Sequence, residues 1–329
     1  MLIKFIRGVG IGSNSPEMGE KDVIMARFVI RRILWMLLVL LVVSFITFTL
    51  MHLVPGGPWS REKALAPAVV AALNARYGLD KPFFVQYANF LLGILHGNLG
   101  ISYTYQDRSV TQILMQGFPK TAVLGTTAFV FAMIVGISLG MAAALRQNTW
   151  IDYVCVMFST IFASVPGFVL GILLMIVFSV ILHWFPTGGW GSPAQVVMPA
   201  IALAALPAAF IARITRASTL ETMRQDYVRT ARSKGLLERV VLIRHILRNS
   251  LIPVVTVAGP QFAALVTGSV IVETIFSIPG IGRLFVQAVF ARDYGLIMGT
   301  VLFYSFVISV ANLVVDILYG VIDPRIRYD

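Results

Sequence analysis

Apolar residues in this chain come in long runs rather than in alternation. A membrane-crossing helix needs about 20 mostly apolar residues. Six stretches fit that pattern, at about 33–54, 121–145, 153–182, 196–212, 251–275 and 297–322. The first, Ile33 to Val54, contains no Lys, Arg, Asp or Glu. The third is long enough to tilt, or to break near Pro166-Gly167, and the fourth contains Pro199 and Pro207. Such residues are tolerated inside spans because neighbouring helices and Ser/Thr groups satisfy the freed backbone. The pattern predicts an all-α, polytopic membrane protein with six transmembrane helices over residues 27–329.

Residues 1–26 are polar, contain Gly and Ser, and lack the compact apolar centre of a signal peptide. They are expected to form an unstructured extension, with Met25 as a second candidate start. The first span carries no small-residue cleavage site and is expected to be retained.

Basic residues set the orientation. With both termini in the cytoplasm, 18 of the 26 Lys and Arg fall on the cytoplasmic side, nine of them within 213–250. Composition agrees with a lipid environment. Hydrophobic residues make up 58% and charged residues 12%, against about 25% charged in soluble domains. The net charge of +11 is therefore mostly topological, and nucleic acid is not an expected partner. The single cysteine, Cys155, sits in an apolar run and reads as a small packed residue.

Two connections are longer than antiparallel neighbours need. In the outer loop, 55–120, Pro55-Gly56-Gly57-Pro58 stops the first span. Val69, Val70, Leu73 and Tyr77, closed by Gly78, then predict a short helix. Phe83, Phe84, Tyr87, Phe90, Leu91 and Ile94 predict a second, with an aromatic face for the membrane interface, a partner or the protein's own spans.

The inner loop, 213–250, predicts a helix opened by a Ser218/Glu221 capping box. Its apolar face would be Leu220, Met223, Tyr227 and Ala231, and Gly235 would end it. Leu237 to Leu247 forms a second basic amphipathic segment leading to Pro253. Such a helix either rests on anionic lipid or docks a cytoplasmic partner through its apolar stripe.

Catalytic motifs are missing. GWGS at 189–192 and GIGR at 280–283 lack the GK[ST] element of a phosphate-binding loop. His52, His96, His183 and His245 have no metal-ligand spacing, and no G-x-S-x-G elbow occurs. No catalytic, cofactor or metal role is expected in this chain. Two ionisable residues lie within apolar runs and are candidates for a pathway or gate: Glu273 near the outer end of span five, and Asp316 in span six. Asp316 has an alternative role, bonding a neighbouring helix or a basic residue.

The inner loop also carries a resemblance. Asp226-Tyr227-Val228-Arg229-Thr230-Ala231-Arg232-Ser233-Lys234-Gly235, followed by Leu251-Ile252-Pro253, resembles the signature loop of binding-protein-dependent ABC importer permeases. Arg229 replaces the general signature's acidic first position, and the Gly235–Pro253 spacing is longer. Both departures are like the peptide-transporter branch. Further similar stretches are PGGPW at 55–59, HGNLGISY at 96–103, ETIFSIPGIGRLF at 273–285 and VDILYGVIDPRIRY at 315–328. LHWFPTGGWG at 182–191 and YQDRSV at 105–110 look most like the oligopeptide type.

The resemblance implies a type I ABC importer permease fold in the cytoplasmic (inner) membrane. It implies a second homologous permease, two ABC ATPase subunits carrying ATP and Mg, an extracytoplasmic peptide-binding protein and a peptide substrate. Asp226, Tyr227, Val228, Arg229, Thr230, Ala231, Arg232, Lys234 and Gly235 would form the ATPase-coupling loop. The rival reading is an ion-coupled secondary transporter. Breaks in spans three and four leave room for it, although no inverted repeat is visible.

Overall fold

The computed structural model describes residues 16–55, 57–59, 66–105 and 108–322. Helices dominate, and the sole extended pairing among the described residues is one antiparallel bridge between Ile101 and Ser109. Helix α1 spans Pro16–Leu53, so part of the stretch expected to be unstructured is helical. Proline at a first helical position, followed by an acidic residue, favours a start there. Residues 1–15 lie outside the described residues.

Two short helices follow at the predicted apolar positions, α2 (Pro67–Tyr77) and α3 (Phe83–Leu95). Helix α2 is closed by Gly78 at φ +68°. Helix α4 runs over Val110–Leu145, eleven residues earlier than the expected start at Thr121. Ser109 explains the difference, because its hydroxyl accepts from the Gln112 N–H at 3.2 Å and caps the helix. The apolar window missed this polar first part, so the outer loop is shorter than predicted.

The third span is broken. Helices α5 (Trp150–Ser164) and α6 (Gly167–Leu174) meet at 105°. Val165 is held extended by the following Pro166, which removes a backbone donor. Helix α6 continues as a π-helical stretch, Met175–Ile181. Helix α7 then runs without interruption over Ala194–Met223.

Ser218 and Glu221 therefore lie inside α7 and do not open a new helix. No Gly or Pro stands between Pro207 and Arg224, so nothing stops α7 before its break at Arg224-Gln225. Helix α8 is Asp226–Ser233. Glu238–Val240, a π-helical Val241–Leu247 and Arg248–Ser250 run on as α9. Then come α10 (Ile252–Val266), α11 (Val270–Ile275), α12 (Ile281–Phe290) and α13 (Tyr294–Ile322). Among the described residues, five segments are long and apolar enough to cross a membrane, or six if the bent α5–α6 pair is one span.

Helix α7 is the axis of the molecule. Its most apolar window is 56% buried, against 11% for α1. Its buried face is largely alanine, including Ala200, Ala204, Ala208 and Ala212. Small residues let neighbouring backbones approach closely, the usual packing of helices in lipid. Leu124, Met198, Ile211, Val254 and Phe276 fill the main core around it. A second, smaller core lies under α8. A third joins α1 to α3 through Phe48, Met51, Phe83, Tyr87 and Phe90.

Candidate docking site

Helix α8 follows α7 after a two-residue break and presents most of its side chains to the surface. Val228 and Ala231 are buried against Val241 and Ile246 of α9, with Met223 and Leu242 packed beside them. This corrects the predicted stripe. Leu220 belongs to α7, Tyr227 is exposed, and the apolar face of α8 is already used internally. An apolar stripe entering a partner's groove is therefore not the docking mode this loop offers.

Polar groups brace the helix from outside. The Tyr227 hydroxyl accepts from Asn249 Nδ2 at 3.0 Å, and Thr230 Oγ1 donates to the Asp226 carbonyl at 3.0 Å. Arg232 makes two bonds to Glu238, at 3.2 and 2.6 Å. That guanidinium holds the Glu238 carboxyl below the usual range. Asp226 and Arg229 approach to 3.6 Å with both side chains well exposed, a pair of little energetic weight.

The end of α8 is closed by its own backbone. Gly235 has φ +74°, its N–H reaches the Arg232 carbonyl at 2.9 Å, and the Leu236 N–H reaches Ala231 at 3.4 Å. These are the two bonds of a Schellman turn. A Cβ on Gly235 would meet nothing within 4 Å, so the position requires the left-handed backbone and not a close approach. Beyond it, residues 232–240 are all exposed, with Leu237 at 76%. The resulting knuckle carries Arg229, Lys234, Leu236, Leu237 and Arg239 outward, with no covering segment among the described residues.

The two intramembrane candidates lie elsewhere and are not brought together. Glu273 is fully buried. Its carboxyl accepts from Thr121 Oγ1 at 3.0 Å and from the N–H groups of Gly282 and Arg283 at 2.8 and 3.3 Å. Thr121 Oγ1 in turn accepts from the Ile281 N–H at 2.9 Å. Together they cap the first turn of α12, and Gly280 and Gly282 leave the room. In this arrangement Glu273 positions the first turn of α12. Asp316 Oδ2 lies 2.9 Å from Arg32 Nη2, an ion-pair distance without hydrogen-bond alignment. It ties α13 to α1, the helix-bonding alternative.

One pair escaped the sequence reading. Asp152 at the start of α5 accepts two bonds from Arg216 of α7, both 2.8 Å, and one from the Asn148 N–H at 3.0 Å. The sole sequence signal was an acidic residue at the edge of an apolar run. Nothing local joins it to an arginine 64 residues away.

The comparisons with known proteins settle the family. The binding-protein-dependent transport system inner membrane component matches residues 136–328, and the N-terminal unit of such membrane components matches 25–125. The chain belongs to this family. The permease is 43% identical over 303 residues to the dipeptide transport system permease protein DppB of Bacillus subtilis, covering 92% of this chain and 98% of that one. It is 41% identical over 306 residues to the oligopeptide transport system permease protein OppB of Escherichia coli, covering 92% and 100%. An inward-facing structure of the MetNI methionine ABC transporter matches with a TM-score of 0.55 at 19% identity, over 64% of this chain and 97% of that one. At that identity the likeness speaks for the fold, which is the type I importer permease fold expected above. The permease is a multi-pass protein of the inner membrane.

Proposed function

We propose that this permease is one transmembrane subunit of an ATP-driven importer of peptides, oligopeptides included. It pairs with a second, homologous permease, receives peptide from an extracytoplasmic binding protein and is driven by two ABC ATPases. ATP and Mg belong to those ATPases, and this chain holds no cofactor and performs no hydrolysis by itself. Both termini lie in the cytoplasm, in keeping with the distribution of basic residues.

The observation that carries the coupling role is the α8 knuckle. Val228 and Ala231 are spent inward on α9, the helix end is closed by the Gly235 turn, and the basic side chains with Leu236 and Leu237 face outward. Such a preformed knob suits a cleft in a soluble partner. Only Arg224-Gln225 separates it from α7, the most buried span, so a push on the knuckle acts directly on the centre of the bundle. Closure of the ATPases would draw the knuckles together and turn the pathway outward by rigid-body movement.

Co-purification tests this. The chain is tagged, extracted from its native membrane in mild detergent, and its partners are identified by mass spectrometry. The expected result is a second permease with one or two P-loop ATPases. A folded chain recovered alone, whose reconstituted uptake follows an ion gradient, would overturn the reading. Competition between di- and longer peptides in uptake then sets the length preference.

A further inference from the structure

At the cytoplasmic-facing ends of α4, α5 and α7 lies the Asp152–Arg216 pair, which has no part in the docking surface. Three observations converge there. Helix α4 carries Gly136 and Gly140 four residues apart, facing α7. A Cβ on Gly136 would stand 2.8 Å from the Ala208 carbonyl, and one on Gly140 would stand 2.5 Å from that of Ala212. The two backbones are in direct contact, as small-xxx-small seams allow. At the end of this seam Arg216 forks onto Asp152, whose side chain is 3% exposed. Asp152 also accepts from Asn148, a residue of the α4–α5 turn held at φ +62°. One carboxylate thus fastens α7, α5 and the α4–α5 turn at a single point.

Arg216 stands on the same unbroken helix that ends at Met223, just before α8. We infer that Asp152 and Arg216 are positioning residues of the transport cycle, a charge latch that makes α4, α5 and α7 move as one body when the α8 knuckle is displaced. This rests on the coupling role proposed above. The chemistry suits a latch. A bidentate guanidinium–carboxylate pair fixes orientation as well as distance, and a partner-less buried Asp152 would be strongly disfavoured. Without the pair, α7 could still be pushed by its knuckle. The tilt of α5 against α7 would then rest on packing contacts, which permit sliding.

The assembled complex in proteoliposomes decides the matter, with peptide imported per ATP hydrolysed as the readout. A merely structural loss lowers the amount of active complex and leaves this ratio intact. Asp152→Asn and Arg216→Gln are each expected to lower it about tenfold. The double variant should fall no further, because residues acting as one pair are not additive. Arg216→Lys keeps the charge without the fork and should recover part of the ratio. It also decides the question if Asp152→Asn assembles poorly. A wild-type ratio in the single variants, or additive losses in the double, would overturn the latch alone. A wild-type chain that retains no ATPase would overturn the coupling role, and the latch with it.

Discussion

The knuckle at α8 and the hairpin of α11 and α12 handle polar groups in opposite ways. The knuckle buries Val228 and Ala231 and turns its charges to the surface. The hairpin hides a carboxyl, Glu273, among backbone donors and glycines. Both stretches stand out in the sequence as charged residues beside apolar runs. What separates them is whether each polar group is satisfied within the chain. The carboxyl of Glu273 is satisfied within the chain, and its bonds position α12. An exposed, preformed knob with basic and leucine side chains suits the interface proposed for it.

The sharpest way to break this contrast is Glu273→Ala. It removes the acceptor for two α12 amides and for Thr121. The expected loss is roughly 3–9 kcal/mol, at about 1–3 kcal/mol for each of the three donors left unpaired. Thermal unfolding in detergent should show a large drop in midpoint, or no folded chain at all. Glu273→Gln keeps an acceptor oxygen and should lose less. A stable Glu273→Ala chain with altered transport would instead return Glu273 to the pathway.

Much of this was legible in the residues, and the misses share a cause. Runs of apolar residues coincide with the five long apolar helices and the bent pair, and Gly78 and Gly235 marked helix ends because both adopt positive φ. The start of α4 was missed because its first turns are polar and rely on the Ser109 cap. The Ser218/Glu221 capping box misled because a capping pattern means nothing inside a helix that has not stopped. The Thr121–Glu273 and Asp152–Arg216 partnerships join residues 152 and 64 positions apart, and no local pattern encodes such pairs. Charge alone located Glu273 but could not reveal that it caps another helix.

The α4–α7 seam offers the next largest effect. Gly140→Ala places a methyl against the Ala212 carbonyl and Thr215, where the neighbours are backbone and a buried side chain. Overpacking of this kind costs about 1–3 kcal/mol. The unfolding midpoint should fall clearly, yet less than for Glu273→Ala. An unchanged midpoint would mean that the seam is looser than its glycines imply.

Gly235→Val sharpens the contrast from the other side. A non-glycine residue in the left-handed region costs roughly 1–2 kcal/mol, but this strain falls on an exposed turn with open space around it. Membrane insertion and the global midpoint should change little. Retained ATPase, or transport per ATP hydrolysed, should fall steeply. Normal peptide uptake by this variant would remove the coupling role from the 226–235 segment.

The smallest effect concerns pH and the brace behind the knuckle. Arg232 lowers the pKa of Glu238 in the folded chain by donating two hydrogen bonds to its carboxylate. A depressed carboxylate contributes stability that is complete above its unfolded pKa and is lost as pH falls through the folded one. Acidification below the ordinary glutamate range should therefore loosen the turn between α8 and α9. Both side chains are well exposed, so the brace contributes about 0.2–0.5 kcal/mol, the low end for surface pairs. A nitroxide at Lys234→Cys, in a Cys155→Ala background, should gain mobility as pH falls. Adding Glu238→Gln should give that higher mobility at neutral pH and flatten the profile. If the profile keeps its slope with Glu238→Gln, another group titrates there, and the knuckle is held by its buried residues and its glycine turn alone.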